Sequence, residues 1–133
     1  MSTLIDKIAW ICLEHGKILS TRSHGKDVYY IPGGKREPGE TDLDTLAREI
    51  TEELAITIVP ATVTHLGTFR AQAHGHPGGV IVQMICYTAD HHGTPTPNSE
   101  IDEVVWLTYA DRIRVSPVDQ LIFDHLHQTG ELH

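Results

Sequence analysis

Residues 34–56 read GKREPGETDLDTLAREITEELAI, and the spacing of apolar residues in this stretch predicts an amphipathic helix that follows a turn. The Pro-Gly pair at 38–39 is typical of a turn. The helix would end near Leu54, and its N-cap would be one of three residues, Thr41, Asp42 or Asp44. Apolar residues recur every three or four positions and form one core-facing stripe, made of Leu43, Leu46, Ala47, Ile50 and Leu54.

Three carboxylates cluster beside this stripe on the predicted helix, those of Glu49, Glu52 and Glu53. Two such charges about 6 Å apart repel each other by roughly 3 kcal/mol at an effective dielectric constant near 20. A hard divalent cation offsets that repulsion, and Mg²⁺ prefers oxygen ligands. Three glutamates alone are more often a solvated acidic face, but here they follow a glycine turn, Glu40 and Arg48, which favours metal binding.

The same residues resemble the Nudix box, whose spacings are met by Gly34, Glu40, Arg48, Glu49, Glu52 and Glu53, with Ile50 and Ile56 in its aliphatic positions. Ala55 departs from the box, because the family has Gly there. The resemblance implies an α/β fold, a Nudix-type α/β/α sandwich with a mixed β-sheet, as a single domain over residues 1–133. It also implies a Mg²⁺-dependent hydrolase of phosphoric anhydride bonds, with Mn²⁺ as a possible substitute.

The resemblance assigns roles to individual residues of the box. Glu49, Glu52 and Glu53 would hold the metal and serve catalysis, and the backbone carbonyl of Gly33 would join the metal ligands. Gly34 would let the backbone approach the substrate closely. Arg48 would pair either with Glu40 or with a ligating carboxylate and hold it in position.

Further candidates lie outside the box. Glu100 stands six residues before Trp106, a spacing at which the resemblance implies another metal ligand or a base, and Glu103 is the alternative. Arg22 ends a predicted strand upstream of the glycine turn, where the resemblance implies an Arg that binds a substrate phosphate. Lys35 beside that turn is a second candidate for phosphate binding. Three aromatic residues could stack on a nucleobase, namely Tyr30, Phe69 and Tyr87.

The substrate is inferred by exclusion within the family. The position of the Pro typical of ADP-ribose hydrolases holds Ala71 and Gln72, and His74 stands where dinucleoside polyphosphate hydrolases often have Tyr. The segment from residue 19 to residue 31 is too short for the upstream motif of coenzyme A hydrolases. We therefore expect a MutT-like enzyme that acts on nucleoside triphosphates, including modified ones. The alternatives are hydrolysis of a nucleotide sugar, ADP-ribose or a dinucleoside polyphosphate, and, in another class, a non-catalytic module that senses nucleotides.

Composition limits the partners. The net charge of −8 argues against a nucleic-acid platform, which usually carries a basic stripe, although metal ions allow an acidic protein to bind a polyphosphate. No apolar run is long enough to span a membrane, and the first residues do not look like a signal peptide. Cys12 and Cys86 lie in apolar runs and are predicted to be buried free thiols of a cytoplasmic protein. A homodimer is possible.

Periodicity predicts the remaining elements. We expect strands at 6–14, 17–22, 28–31, 57–59, 62–71, 80–88 and 104–108, with a hairpin turn at His15-Gly16. The strand at 80–88 is apolar enough to be central and buried. A second helix would open at Ser116-Pro117 and bury Val118, Leu121, Ile122 and Leu126.

Overall fold

The computed structural model describes residues 3–73, 75–76 and 78–133. Within these residues the elements follow in chain order as β1 (Thr3–Trp10), β2 (Leu13–Glu14), β3 (Lys17–Ser23), β4 (Gly33–Lys35), α1 (Asp42–Leu54), β5 (Thr57–Ile58), β6 (Thr64–Gln72), β7 (Val80–Thr88), β8 (His91–His92), β9 (Ile101–Leu107) and α2 (Pro117–Gln128). Short 3₁₀ turns lie at Pro60–Thr62 and Tyr109–Arg114.

A mixed sheet in the order β4-β1-β7-β6 forms the centre of the fold. β1 pairs in parallel with β7 and antiparallel with β4, and β6 pairs antiparallel with β7. β3 forms a second sheet with β2 and β9, and β5 pairs with β8. The expected position of the apolar strand at 80–88 is confirmed, because β7 lies between two neighbours in the central sheet.

The two helices cover opposite faces of the central sheet, because successive side chains of β1 point in opposite directions. Ile8 and Trp10 belong to one buried cluster, which contains the α1 residues Leu46, Ile50 and Leu54. Ala9 lies in the other cluster, with the α2 residues Ile122, Phe123 and Leu126. The predicted α/β/α sandwich with a mixed sheet is therefore confirmed.

The helix of the opening stretch has the predicted bounds. Thr41 is its N-cap, and Thr41 and Asp44 form a reciprocal capping box in which each side chain accepts from the other residue's backbone N–H. Leu43 was predicted to face the core but is 37% exposed. Ala55 ends the helix in the left-handed conformation, with φ of 56°.

Two segments differ from the prediction near the glycine pair. Residues 28–31 form only isolated bridges through Tyr29 and Tyr30, whereas Gly33 and its neighbours form β4 instead of a plain turn. A Cβ on Gly33 would lie 2.0 Å from the carbonyl oxygen of Ile8, so this pairing with β1 requires glycine. Residue propensities do not predict β4, because glycine is disfavoured in β-strands.

Smaller differences concern the ends and faces of elements. β1 ends at Trp10, and the predicted run to residue 14 is interrupted before β2. Leu121 is 40% exposed on α2, and Phe123 is buried in the core. Cys12 and Cys86 are buried and free, as predicted. None of the described helices is long and apolar enough to cross a membrane.

Replacing Ala55 with Gly should stabilise the protein, because Gly adopts the left-handed conformation without the steric cost that a Cβ imposes. We expect Ala55→Gly to raise the free energy of unfolding by about 0.5–1 kcal/mol in urea denaturation. Ala47→Gly, in the interior of α1, is the matched control and should lower the free energy of unfolding by about 1 kcal/mol. A loss in both variants would show that Ala55 carries no strain.

Candidate metal and substrate site

The glycine pair of β4 brings the helix α1 against the sheet. The backbone N–H of Gly33 donates to Oε1 of Glu53 at 3.3 Å. A Cβ on Gly34 would lie 2.4 Å from Cδ of Glu49, so only glycine leaves room for this carboxylate. The two glycines therefore place two helix carboxylates directly on the strand.

Arg48 connects Glu40 to Glu49. Its Nε and Nη2 donate to the two oxygens of Glu40, each at 2.8 Å, and its Nη1 donates to Oε1 of Glu49 at 2.8 Å. The Arg48 guanidinium, with help from the backbone N–H of Glu37, lowers the pKa of Glu40 to about 2. The sequence left two partners open for Arg48, and the structure shows that it binds both, with Glu40 as the fixed end.

The three box carboxylates differ in burial. Glu53 is only 6% exposed, and burial raises its pKa to about 8, with further increases from Glu49 and Glu100. Burial also raises the pKa of Glu49, against the effect of Arg48. The side chain of Glu52 is 53% exposed and lies 3.7 Å from Arg48. One carboxylate is thus inside the protein, one lies at its edge and one points outward.

The donor set fits a hard divalent cation, although the described residues contain no preformed cluster of three His, Cys, Asp or Glu side chains around a metal. All candidate donors are oxygens, as Mg²⁺ prefers. Burial raises the pKa of Glu49 and of Glu53 because it disfavours their ionised forms, and a bound cation would favour those forms. A divalent cation could be bound by Glu49, Glu52 and Glu53 together only if the exposed side chain of Glu52 rotated towards the other two.

A pocket of about 320 Å³ opens beside Glu53. Gly33, Gly34, Lys35 and Glu100 line it near the carboxylates. The rest of the lining includes both apolar and cationic side chains, among them Ile5, Lys7, Lys26, Tyr30, Val82 and Met84. Of the three aromatic candidates for stacking, the structure places Tyr30 in this pocket, while Phe69 packs on His125 and Tyr87 binds Asp42.

The loop before β9 separates the two candidate glutamates. Glu100 lines the pocket, whereas Glu103 accepts from Arg22, with its Oε1 2.6 Å from Nη2, and from the Tyr29 hydroxyl at 3.2 Å. Arg22 is therefore held by Glu103 and is not among the residues that line the pocket. Arg22 would have to leave Glu103 to reach a substrate phosphate.

Two charged residues near the pocket were missed in the sequence analysis. Asp119 is fully buried on α2 and accepts from the backbone N–H of Ile31 at 2.7 Å, and burial raises its pKa to about 7. Lys7 lines the pocket from β1. The sequence pattern does place both residues on a core-facing side. Asp119 shares the helical spacing of Ile122 and Leu126, and Lys7 shares the strand alternation of Ile5 and Ala9.

Comparison with known proteins agrees with this geometry. The family model described as the NUDIX domain matches residues 6–125. The ORF135 protein of E. coli has a similar structure, with a TM-score of 0.75, 25% identity and coverage of 96% of this chain and 91% of that chain. No curated protein matches the sequence.

Two MutT proteins share the fold. The protein from Methanosarcina mazei Go1 has a TM-score of 0.76 at 18% identity, with 98% of this chain and 97% of that chain covered. The protein from Bacillus halodurans has a TM-score of 0.71 at 23% identity, with 96% and 84% covered. Coverage of nearly the whole chain in each comparison places both helices and the central sheet within the shared fold.

Removing the charge of Glu40 should weaken cation binding, because Arg48 would lose the partner that positions it against Glu49. We expect Glu40→Gln to lower the affinity for Mn²⁺, measured by titration calorimetry, by about tenfold to a hundredfold. Glu37→Gln is the matched control, since the exposed Glu37 lies 3.7 Å from the same guanidinium, and it should change little. Equal affinities in the two variants would contradict the positioning role of Glu40.

Asp119 should make stability depend on pH. Its pKa is about 7 in the folded protein against 3.8 for the free side chain, so between these values only the unfolded chain ionises it and stability falls as pH rises. The stability gain of Asp119→Asn over wild type should therefore increase from pH 4 to pH 7, by on the order of 1 kcal/mol per pH unit, in urea denaturation. A gain that stays constant with pH would mean that Asp119 is ionised in the folded state.

Proposed function

The chain belongs to the Nudix family of hydrolases that act on phosphoric anhydride bonds, and from this premise we propose that it hydrolyses a nucleoside diphosphate linked to another group. Mg²⁺ would be its cofactor, with Mn²⁺ as a substitute. The most suitable substrates are nucleoside triphosphates, including modified ones. We place the reaction in the cytoplasm, in keeping with the free thiols of Cys12 and Cys86.

One observation carries this proposal: the buried carboxylate of Glu53 on α1 lines a pocket whose other walls carry lysines. Glu53 and Glu100 line the pocket together with Lys7, Lys26 and Lys35. A diphosphate with a divalent cation is complementary to this arrangement, because the cation suits the carboxylates and the phosphate oxygens suit the lysines. The lysines explain how a chain of net charge −8 can bind a polyanion.

The cation would be held by the carboxylates of Glu49, Glu52, Glu53 and Glu100 and by the backbone carbonyl of Gly33. When bound, it would supply charge neutralisation of the diphosphate and a lower pKa for the attacking water. Arg48 would keep Glu49 in place through its bond to Glu40. One carboxylate, from the box or from Glu100, would accept the proton of that water.

The remaining residues would bind the substrate. Lys35 is exposed beside Gly34 at the rim of the pocket, and both would contact phosphate oxygens, through the ammonium and the backbone. Arg22 would contact a further phosphate group after breaking its ion pair with Glu103. The ring of Tyr30 would stack on the base. The whole chain, residues 1–133, would act as one domain, without nucleic acid or membrane partners, as a monomer or homodimer.

The substrate alternatives remain a nucleotide sugar, ADP-ribose and a dinucleoside polyphosphate. The alternative of another class is a nucleotide sensor without catalytic activity. Burial of Glu53 against Gly33 favours catalysis over sensing, because a carboxylate that is costly to bury needs a role that offsets its cost.

Glu53→Gln should abolish hydrolysis while leaving the fold intact, because the amide occupies the same space but carries no charge. We expect kcat to fall by about 10³-fold or more, with an unchanged or higher melting temperature. Phosphate and pyrophosphate release with Mg²⁺ would be measured for canonical and oxidised triphosphates, nucleotide sugars, ADP-ribose and dinucleoside polyphosphates. Near-normal turnover by Glu53→Gln would refute its role, and no turnover of any compound by wild type would favour the sensor.

A further inference from the structure

The loop before β9 is attached to the C-terminal end of α1. The last four backbone carbonyls of an α-helix have no partner within the helix, and this loop supplies donors to three of them. The backbone N–H of Thr96 donates to the carbonyl of Leu54 at 3.0 Å. Asn98 donates twice, from its backbone N–H to the carbonyl of Glu53 and from its Nδ2 to the carbonyl of Glu52, each at 3.0 Å. The loop is therefore attached at two of the residues that the proposed mechanism assigns to the cation.

The sequence of this loop limits its movement. Residues 94–98 read TPTPN, so a proline stands on each side of Thr96. Proline fixes its own φ and restricts the residue before it to extended conformations. Because proline has no N–H, the backbone donors to the helix come from Thr96 and Asn98. A loop that is already extended loses little conformational entropy when these two residues bind the helix.

Asn98 also closes the turn that carries Glu100. Its carbonyl accepts from the backbone N–H of Ile101 at 3.0 Å, and Ser99 and Glu100 form the tip of this turn. Ser99 has a φ of 53°, a left-handed conformation that is unfavourable for a residue with a Cβ. Contacts on both sides of Ser99 maintain the turn. Asn98 binds the helix on one side, and on the other the backbone N–H of His24 donates to the carbonyl of Glu100 at 2.8 Å.

Electrostatic repulsion opposes this position of Glu100. Glu100 and Glu53 line the same pocket. Burial raises the pKa of Glu49 and of Glu53, and the charge of Glu100 raises both values further. Carboxylates so close repel one another when no cation lies between them, so an unattached loop would carry Glu100 away from the helix. The hydrogen bonds of Asn98 to the helix oppose that displacement.

We propose that Asn98 is a positioning residue, which holds Glu100 beside the helix carboxylates so that all of them reach one cation. The proposal rests on the proposed function, since it takes Glu100 as a ligand of the cation. Asn98 is exposed and is not among the residues that line the pocket. It acts by joining the backbone of Glu52 and Glu53 to the turn that carries Glu100.

Removing the Asn98 side chain should weaken cation binding without unfolding the protein, because this side chain is exposed. We expect Asn98→Ala to lower the affinity for Mn²⁺, measured by titration calorimetry, by about tenfold. At saturating Mg²⁺, kcat for nucleoside triphosphates should fall by about tenfold, because Glu100 would be displaced. Melting temperatures would confirm that the variant is folded.

Thr94→Ala is the matched control. Thr94 is exposed in the same loop, and its side chain forms no hydrogen bond with the other described residues. This variant should bind Mn²⁺ and turn over triphosphates as wild type does. An Asn98→Ala variant that behaves like Thr94→Ala in both measurements would overturn the proposal.

A double-mutant cycle with Glu100→Gln separates positioning of Glu100 from a general effect on the helix. Glu100→Gln should lower the affinity for Mn²⁺ by at least as much as Asn98→Ala does. Once this carboxylate is absent, Asn98→Ala should lower the affinity by less than about twofold, because no ligand remains for it to position. A full tenfold loss in the Glu100→Gln background would mean that Asn98 acts without Glu100 and would overturn the proposal.

Binding of Mn²⁺ keeps this inference apart from the proposed function, because it requires no hydrolysis. If wild type hydrolyses no compound but Asn98 and Glu100 are coupled in Mn²⁺ binding, the proposed function fails and the role of Asn98 stands. If wild type hydrolyses a triphosphate and Asn98→Ala binds Mn²⁺ as tightly as wild type, only the role of Asn98 is overturned. A wild type that neither binds Mn²⁺ nor hydrolyses any compound overturns both proposals.

Discussion

The contact between helix α1 and the glycine pair of β4 is the constraint on which the site depends. Gly33 is close to β1 and Gly34 is close to Glu49, and a Cβ at either position would overlap its neighbour. The helix can therefore approach the sheet edge closely, with its apolar stripe on the sheet and two carboxylates on the strand. The same contact lets the backbone N–H of Gly33 donate to the carboxylate of Glu53.

The carboxylates near this contact differ in whether a cationic side chain offsets their charge. Arg48 stabilises the ionised forms of Glu40 and Glu49, while Glu53 has no cationic partner among the described residues and burial disfavours its charge. Such a carboxylate is expensive in a folded protein without a cation. A divalent cation bound beside Glu53 would offset the cost of burying this charge.

The pocket is lined by both carboxylates and lysines. Its carboxylates come from α1 and the loop before β9, and its lysines come from β1, β4 and the turn after β3. The overall charge of −8 says little about this local arrangement, because binding depends on the field inside the pocket.

The sequence by itself determined the helix α1, its end near Leu54, the carboxylates on one side of it and the central position of β7, because these follow from local periodicity and spacing. Tertiary structure alone decided that Gly33 and Gly34 form a strand, that Glu100 lines the pocket while Glu103 binds Arg22, and that Lys7 faces the same cavity. These outcomes depend on contacts between residues far apart in the chain, such as Gly33 with Ile8 and Arg22 with Glu103. Spacing along one strand or helix fixes which side chains share a face, but only packing decides what that face meets.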